Sequence, residues 1–247
     1  MDILYRAFRK EDDESENLFV EQEEEEEDMS LEPQADIRVQ NIVLMFAANA
    51  IIHFTWFLII GILYYLNDNT WAREVGIILI SSSVPLFVLW YFLMIYVRTD
   101  YPIIATISIC MWILCGGLML GSISVLSHKI FPIQLVLLLL FQSLSVMGYA
   151  KFSPRMVETL KAMAFMFIIT LMVWASFIFS FIEEDDWVGG IIILAVSIVA
   201  ILYHGWQIRM SEGRYNLSWN DIRLSIIQFY GDPYIYAYSE IIKRMDK

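Results

Sequence analysis

Residues 101–128 read YPIIATISICMWILCGGLMLGSISVLSH, and no Asp, Glu, Lys or Arg falls between Asp100 and Lys129. A charge-free apolar run of this length exceeds the roughly 20 residues that a helix needs to cross the ~30 Å hydrocarbon core of a bilayer. The same pattern extends to either side. Charge is also absent between Arg38 and Asp68, Glu74 and Arg98, Lys129 and Lys151, Lys161 and Glu183, and Asp186 and Arg209. These gaps predict membrane helices over 42–65, 75–97, 102–123, 130–150, 162–182 and 187–208, joined by loops too short for a soluble catalytic domain. Any chemistry must then sit inside the bundle.

A last apolar stretch, 219–241, differs in kind, because Arg223, Gln228, Asp232, Pro233 and Glu240 stand among its Ile, Phe and Tyr residues. Such a segment suits protein surroundings better than lipid, since polar groups at membrane depth are tolerated where they face protein or a watery cavity. This predicts an all-α polytopic membrane protein of seven transmembrane helices, with residues 37–247 forming the membrane domain. An ionisable side chain at membrane depth is costly and marks function, so Asp232 is the leading candidate. Pro233 lacks an amide hydrogen and cannot donate to the carbonyl four residues earlier, which frees an acceptor near Phe229.

The overall balance supports the membrane reading. Hydrophobic residues make up 58% of the chain, more than a soluble domain carries. The formal net charge of −12 belongs to the N-terminus, where residues 1–38 hold 15 acidic and 4 basic side chains. Runs such as Glu23 to Asp28 repel one another and offer little to bury, so residues 1–36 are predicted to be a disordered cytosolic tail, solvated or used for docking or calcium buffering. The first 20 residues lack the apolar core of a signal peptide, leaving the first span as its own insertion signal. Cys110 and Cys115, five apart in one apolar run, fit neither a disulfide framework nor a zinc site. His53, His128 and His204 lack metal-ligand spacing, and no basic patch suggests nucleic acid. Neither a catalytic residue, a metal nor a bound cofactor is predicted.

Basic residues near the spans set orientation. Arg38, Arg98, Lys151, Arg155, Lys161, Arg209 and Arg214 share the side of the N-terminus, whereas Arg73 and Lys129 lie opposite. The N-terminus is therefore expected in the cytosol, and the sequon at Asn216 with it. Seven crossings would leave Lys243, Arg244 and Lys247 on the other side. A re-entrant last segment removes that conflict, and a kinked crossing accepts it.

Several fragments, in order and spacing, resemble the transmembrane Bax inhibitor motif family and its Lifeguard branch. They are Asn69-Thr70-Trp71, Tyr101-Pro102-Ile103-Ile104, the run from Gly117-Leu118-Met119-Leu120-Gly121 to Ser124, Gln207-Ile208-Arg209-Met210 and Tyr230-Gly231-Asp232. The resemblance implies six helices around a central C-terminal one, in an endoplasmic reticulum or Golgi protein that modulates calcium leak and cell-death sensitivity, with Ca2+ as permeant ion. It also implies a pair of aspartates that switches with pH, because two close carboxylates share a proton. Asp232 matches one member. The other falls on Gly205, so the switch is incomplete unless His204 replaces it, or Asp232 is protonated and bonded to a hydroxyl; Arg209 and Arg223 are further partner candidates. Gly117 and Gly121, one turn apart, are expected to serve helix packing, and Asn41, Asn49 and Ser81 to Ser83 to bond between helices. The competing expectation is a non-conducting membrane regulator or adaptor that holds other membrane proteins through the acidic tail.

Overall fold

The computed structural model describes residues 39–66, 72–97, 101–127, 129–153, 157–183, 186–210 and 222–231. Among these, all regular structure is helical: α1 (Val39–Tyr65), α2 (Ala72–Val97), α3 (Pro102–Ser127), α4 (Phe131–Phe152), α5 (Thr159–Ser176), α6 (Ile178–Glu183), α7 (Trp187–Met210) and α8 (222–231). Six of them, α1 to α5 and α7, are long and apolar enough to cross a membrane. Their outer faces carry exposed Ile, Leu, Val or Phe in every span, as a lipid bilayer requires. The predicted tail 1–36, the sequon at Asn216 and both Asp232 and Pro233 lie outside the described residues.

The predicted span over 162–182 is broken at Phe177 into α5 and α6. The Ser176 hydroxyl donates to the Val173 carbonyl at 2.6 Å. That carbonyl is the ordinary acceptor for the Phe177 amide, which bonds Trp174 O at 3.0 Å instead. A serine hydroxyl competing with the backbone thus tightens one turn and ends α5.

Helices pack in sequence order around two shared elements. One apolar core joins Phe46 and Leu44 of α1 with Val146 of α4, Met166 of α5, Ile208 of α7 and Phe229 of α8. A second joins Ile52 of α1 with Met94 of α2, Trp112 of α3 and Ile227 of α8. Among the described residues, only those of α1 and α8 contribute to both. A smaller cluster of Leu138, Phe181 and Ile193 ties α6 to α4 and α7.

The α1–α3 contact depends on missing side chains. A Cβ at Gly117 would stand 2.6 Å from Ile59 Cδ1, and one at Gly116 would stand 2.8 Å from Trp56 Cζ2. At Gly121 it would collide with Leu63. Between lipid-solvated helices there is little hydrophobic drive, so close approach over small residues supplies the dispersion energy. Gly117 and Gly121 therefore have the packing role read from their spacing. Trp56 adds a hydrogen bond from Nε1 to Ile113 O at 2.8 Å. At the opposite end from Val39, Lys129 meets Asp186 at 3.7 Å, and Asp186 Oδ1 accepts the Gly189 amide at 3.3 Å to cap α7.

Candidate functional site: the end of α8

Residues 225–229 of α8 are all buried, an unusual degree of enclosure for a stretch containing Ser225 and Gln228. Phe229 is the hub. Its ring centre lies 5.4 Å from Phe46, 5.5 Å from Tyr203 and 5.7 Å from His204, mostly edge-on, so α1 and α7 close over it. On the next face Tyr230 packs 4.7 Å from Trp112 of α3.

The backbone at this point is held by side chains. Phe229 O accepts from Gln207 Nε2 at 2.6 Å and also from the Tyr203 hydroxyl, while Gln207 Nε2 reaches Tyr203 Oη at 2.8 Å. Tyr203 and Gln207 are one turn apart on α7 and so share a face. The neighbouring carbonyl, Tyr230 O, accepts from the Tyr91 hydroxyl of α2 at 2.8 Å. Phe229 is four residues before Pro233, which has no amide hydrogen to offer. Two α7 donors thus satisfy this carbonyl, as burial away from water demands.

The Tyr230 side chain continues the network. Its hydroxyl donates to Asn49 Oδ1, and Asn49 Nδ2 donates to Ser143 Oγ at 2.7 Å. α1, α4 and α8 are joined by this chain, and Asn49 has the interhelical role expected of it. Arg223, at the start of α8, donates to Pro102 O at 3.0 Å and to Thr106 Oγ1 at 3.3 Å in the first turn of α3.

The site residues expected from sequence divide clearly. His204 faces α8: it is 3% exposed, packed 5.2 Å from the Phe46 ring, and its Nδ1 has no hydrogen-bond partner. Gly205 faces away, where a Cβ would lie 2.8 Å from Met163 Cγ and collide with Met163 Sδ. The position where the resemblance would put a second aspartate therefore looks onto α5. Arg209 is exposed at the end of α7. Among the described residues, no three His, Cys, Asp or Glu side chains come together to hold a metal ion.

Tyr203 and Tyr91 were not foreseen, and Gln207 and Tyr230 entered the sequence reading only as fragments of a motif. One signal was available: a tyrosine and a glutamine at i and i+4 are suitable donors for a proline-freed carbonyl. Which helix would supply them depends on packing.

No family model matches the chain, and neither does any curated protein or any solved structure.

Proposed function

We propose that this chain is a divergent Bax-inhibitor-like protein of the endoplasmic reticulum or Golgi membrane that modulates calcium or other cation leak, and with it cell-death sensitivity. In this reading the segment containing α8 is a seventh, central crossing and the N-terminus is cytosolic. The observation that carries it is the last described turn of α8, where two successive carbonyls are held by side chains of α2 and α7 immediately before Asp232 in sequence. Carboxylates that face the interior of a membrane bundle mark ion pathways, and the buried run 225–229 leads in sequence to Asp232. The incomplete carboxylate pair leaves Asp232 and His204 as the titratable candidates.

A second reading, a non-conducting regulator that binds other membrane proteins, is favoured by Gly205, which carries no carboxylate and faces Met163 of α5 instead of α8. Calcium flux into vesicles reconstituted with the full chain separates the two. A leak through this site falls at least tenfold on Asp232→Asn. Flux equal to protein-free vesicles in both forms would leave the regulator as the function.

A further inference from the structure

Around α8 the hydrogen-bonding ledger does not close. His53 Nδ1, Trp90 Nε1, Trp112 Nε1, His204 Nδ1, Ser225 Oγ and Gln228 Oε1 are all buried and have no hydrogen-bond partner among the described residues. The indoles make the contrast plain. Trp56 and Trp174 donate to the carbonyls of Ile113 and Gly190 at 2.8 and 3.0 Å, whereas Trp90 and Trp112 donate to nothing. Gln142 Oε1 and Ser197 Oγ are also unpartnered, but they belong to a separate polar layer between α4, α5 and α7, where Gln142 Nε2 bonds Thr170 and Ser197 O.

An unsatisfied buried polar atom costs about 1–3 kcal/mol. Six of them together rival the whole stability of an ordinary domain, roughly 5–15 kcal/mol, so they cannot all be dry. Hydrogen-bonded water is the usual remedy where several polar atoms face a common space.

Their depths form a series. Arg223 fixes the start of α8 level with Pro102. At 1.5 Å per residue, Ser225 lies roughly 3 Å and Gln228 about 8 Å along α8 from Arg223, and His204 about 9 Å along α7 from Met210. The six atoms come from α1, α2, α3, α7 and α8. The contacts linking them are direct: His204 packs on Phe229, Trp112 on Tyr230, and His53 reaches Trp112 through Trp56, with ring centres 5.6 and 5.9 Å apart.

We infer that a water-filled seam enters the bundle along α8 from the end shared by Val39, Val97 and Met210, passes Gln228, His204 and Trp112, and ends at His53. Its ligand is water, with small hydrated cations admitted by the same neutral, hydrogen-bonding lining. The seam is independent of the leak proposed above: Asp232→Asn can abolish flux while the seam stays wet, and a wet seam can end blind.

The test uses the full chain in lipid nanodiscs with Cys110 and Cys115 replaced by Ala. Single cysteines at Ser225, Gln228, His204 and His53 are challenged with a small cationic, water-soluble thiosulfonate, beside controls at Leu44 and Met166, which are fully buried in the apolar core. The seam positions react at least tenfold faster than the controls, with rates falling from Ser225 to His53. Rates equal to the controls overturn the inference. Since cysteine at His53 or His204 could disturb packing, hydroxyl-radical labelling of the unsubstituted protein provides the second measurement. Oxidised Trp112 and His53 beside unmodified Met166 support the seam, and unmodified Trp112 and His53 refute it.

Discussion

The α1–α3 and α7–α8 contacts solve the same problem by opposite means. α3 removes side chains, letting Trp56, Ile59 and Leu63 of α1 settle over Gly116, Gly117 and Gly121. α7 adds polar side chains, and Tyr203 and Gln207 reach across to a backbone carbonyl of α8. The first is van der Waals packing over small residues, with one indole hydrogen bond; the second repairs a hydrogen bond that Pro233 cannot make. The difference teaches that helices without a hydrophobic drive between them are joined either by proximity or by unmet backbone demand.

The comparison breaks most visibly at Gly117. Leucine there would drive into Ile59, whose Cβ and Cγ2 are also within 3.2 Å of the added atom and whose branched side chain is stiff. Gly117→Leu is expected to destabilise the protein by about 3 kcal/mol or more, read as a lowered unfolding midpoint in detergent, and Ile59→Ala should recover part of the loss. At α7–α8, the double change Tyr203→Phe with Gln207→Leu strands Phe229 O and is expected to lower stability by about 1–3 kcal/mol. Adding Pro233→Ala sharpens this result, because a restored amide hydrogen can serve the same carbonyl. The cycle should show a coupling of roughly 1 kcal/mol, and strict additivity would mean that the proline and the two donors are unrelated.

Asn49→Leu removes the partner of both Tyr230 and Ser143 and should cost about 1–2 kcal/mol by the same unfolding measurement. The smallest effect belongs to Gly205→Ala. Its added methyl meets the flexible Met163 thioether, and the helix gains propensity, so the change should stay below about 1 kcal/mol. A larger loss would show that Met163 cannot move and that the α5–α7 contact is as rigid as α1–α3.

Much of the fold was legible in advance, because a bilayer imposes a length and forbids charge, and both constraints are local. The six long apolar helices follow from that alone, whereas the spacing of Gly117 and Gly121 by one turn marked a face for close approach without saying that α1 would fill it. The break at Phe177 was not visible. Whether a serine hydroxyl takes a nearby carbonyl depends on its rotamer, and Ser145 makes the same kind of bond to Gln142 O at 2.7 Å inside α4 without dividing that helix.

The site was legible by half. Pro233 announced an open carbonyl near Phe229 by covalent structure alone, and His204 was a candidate only through its place beside Gly205. The donors were decided by tertiary structure, since one residue along a helix is about 100° of rotation, and that rotation alone separates Tyr203 and His204 facing α8 from Gly205 facing α5. Sequence by itself determined which groups this chain must hide and which backbone bond it must replace. Only packing, the mutual rotation of α1, α2, α7 and α8, decided which side chains answer that demand and which polar atoms are left for water.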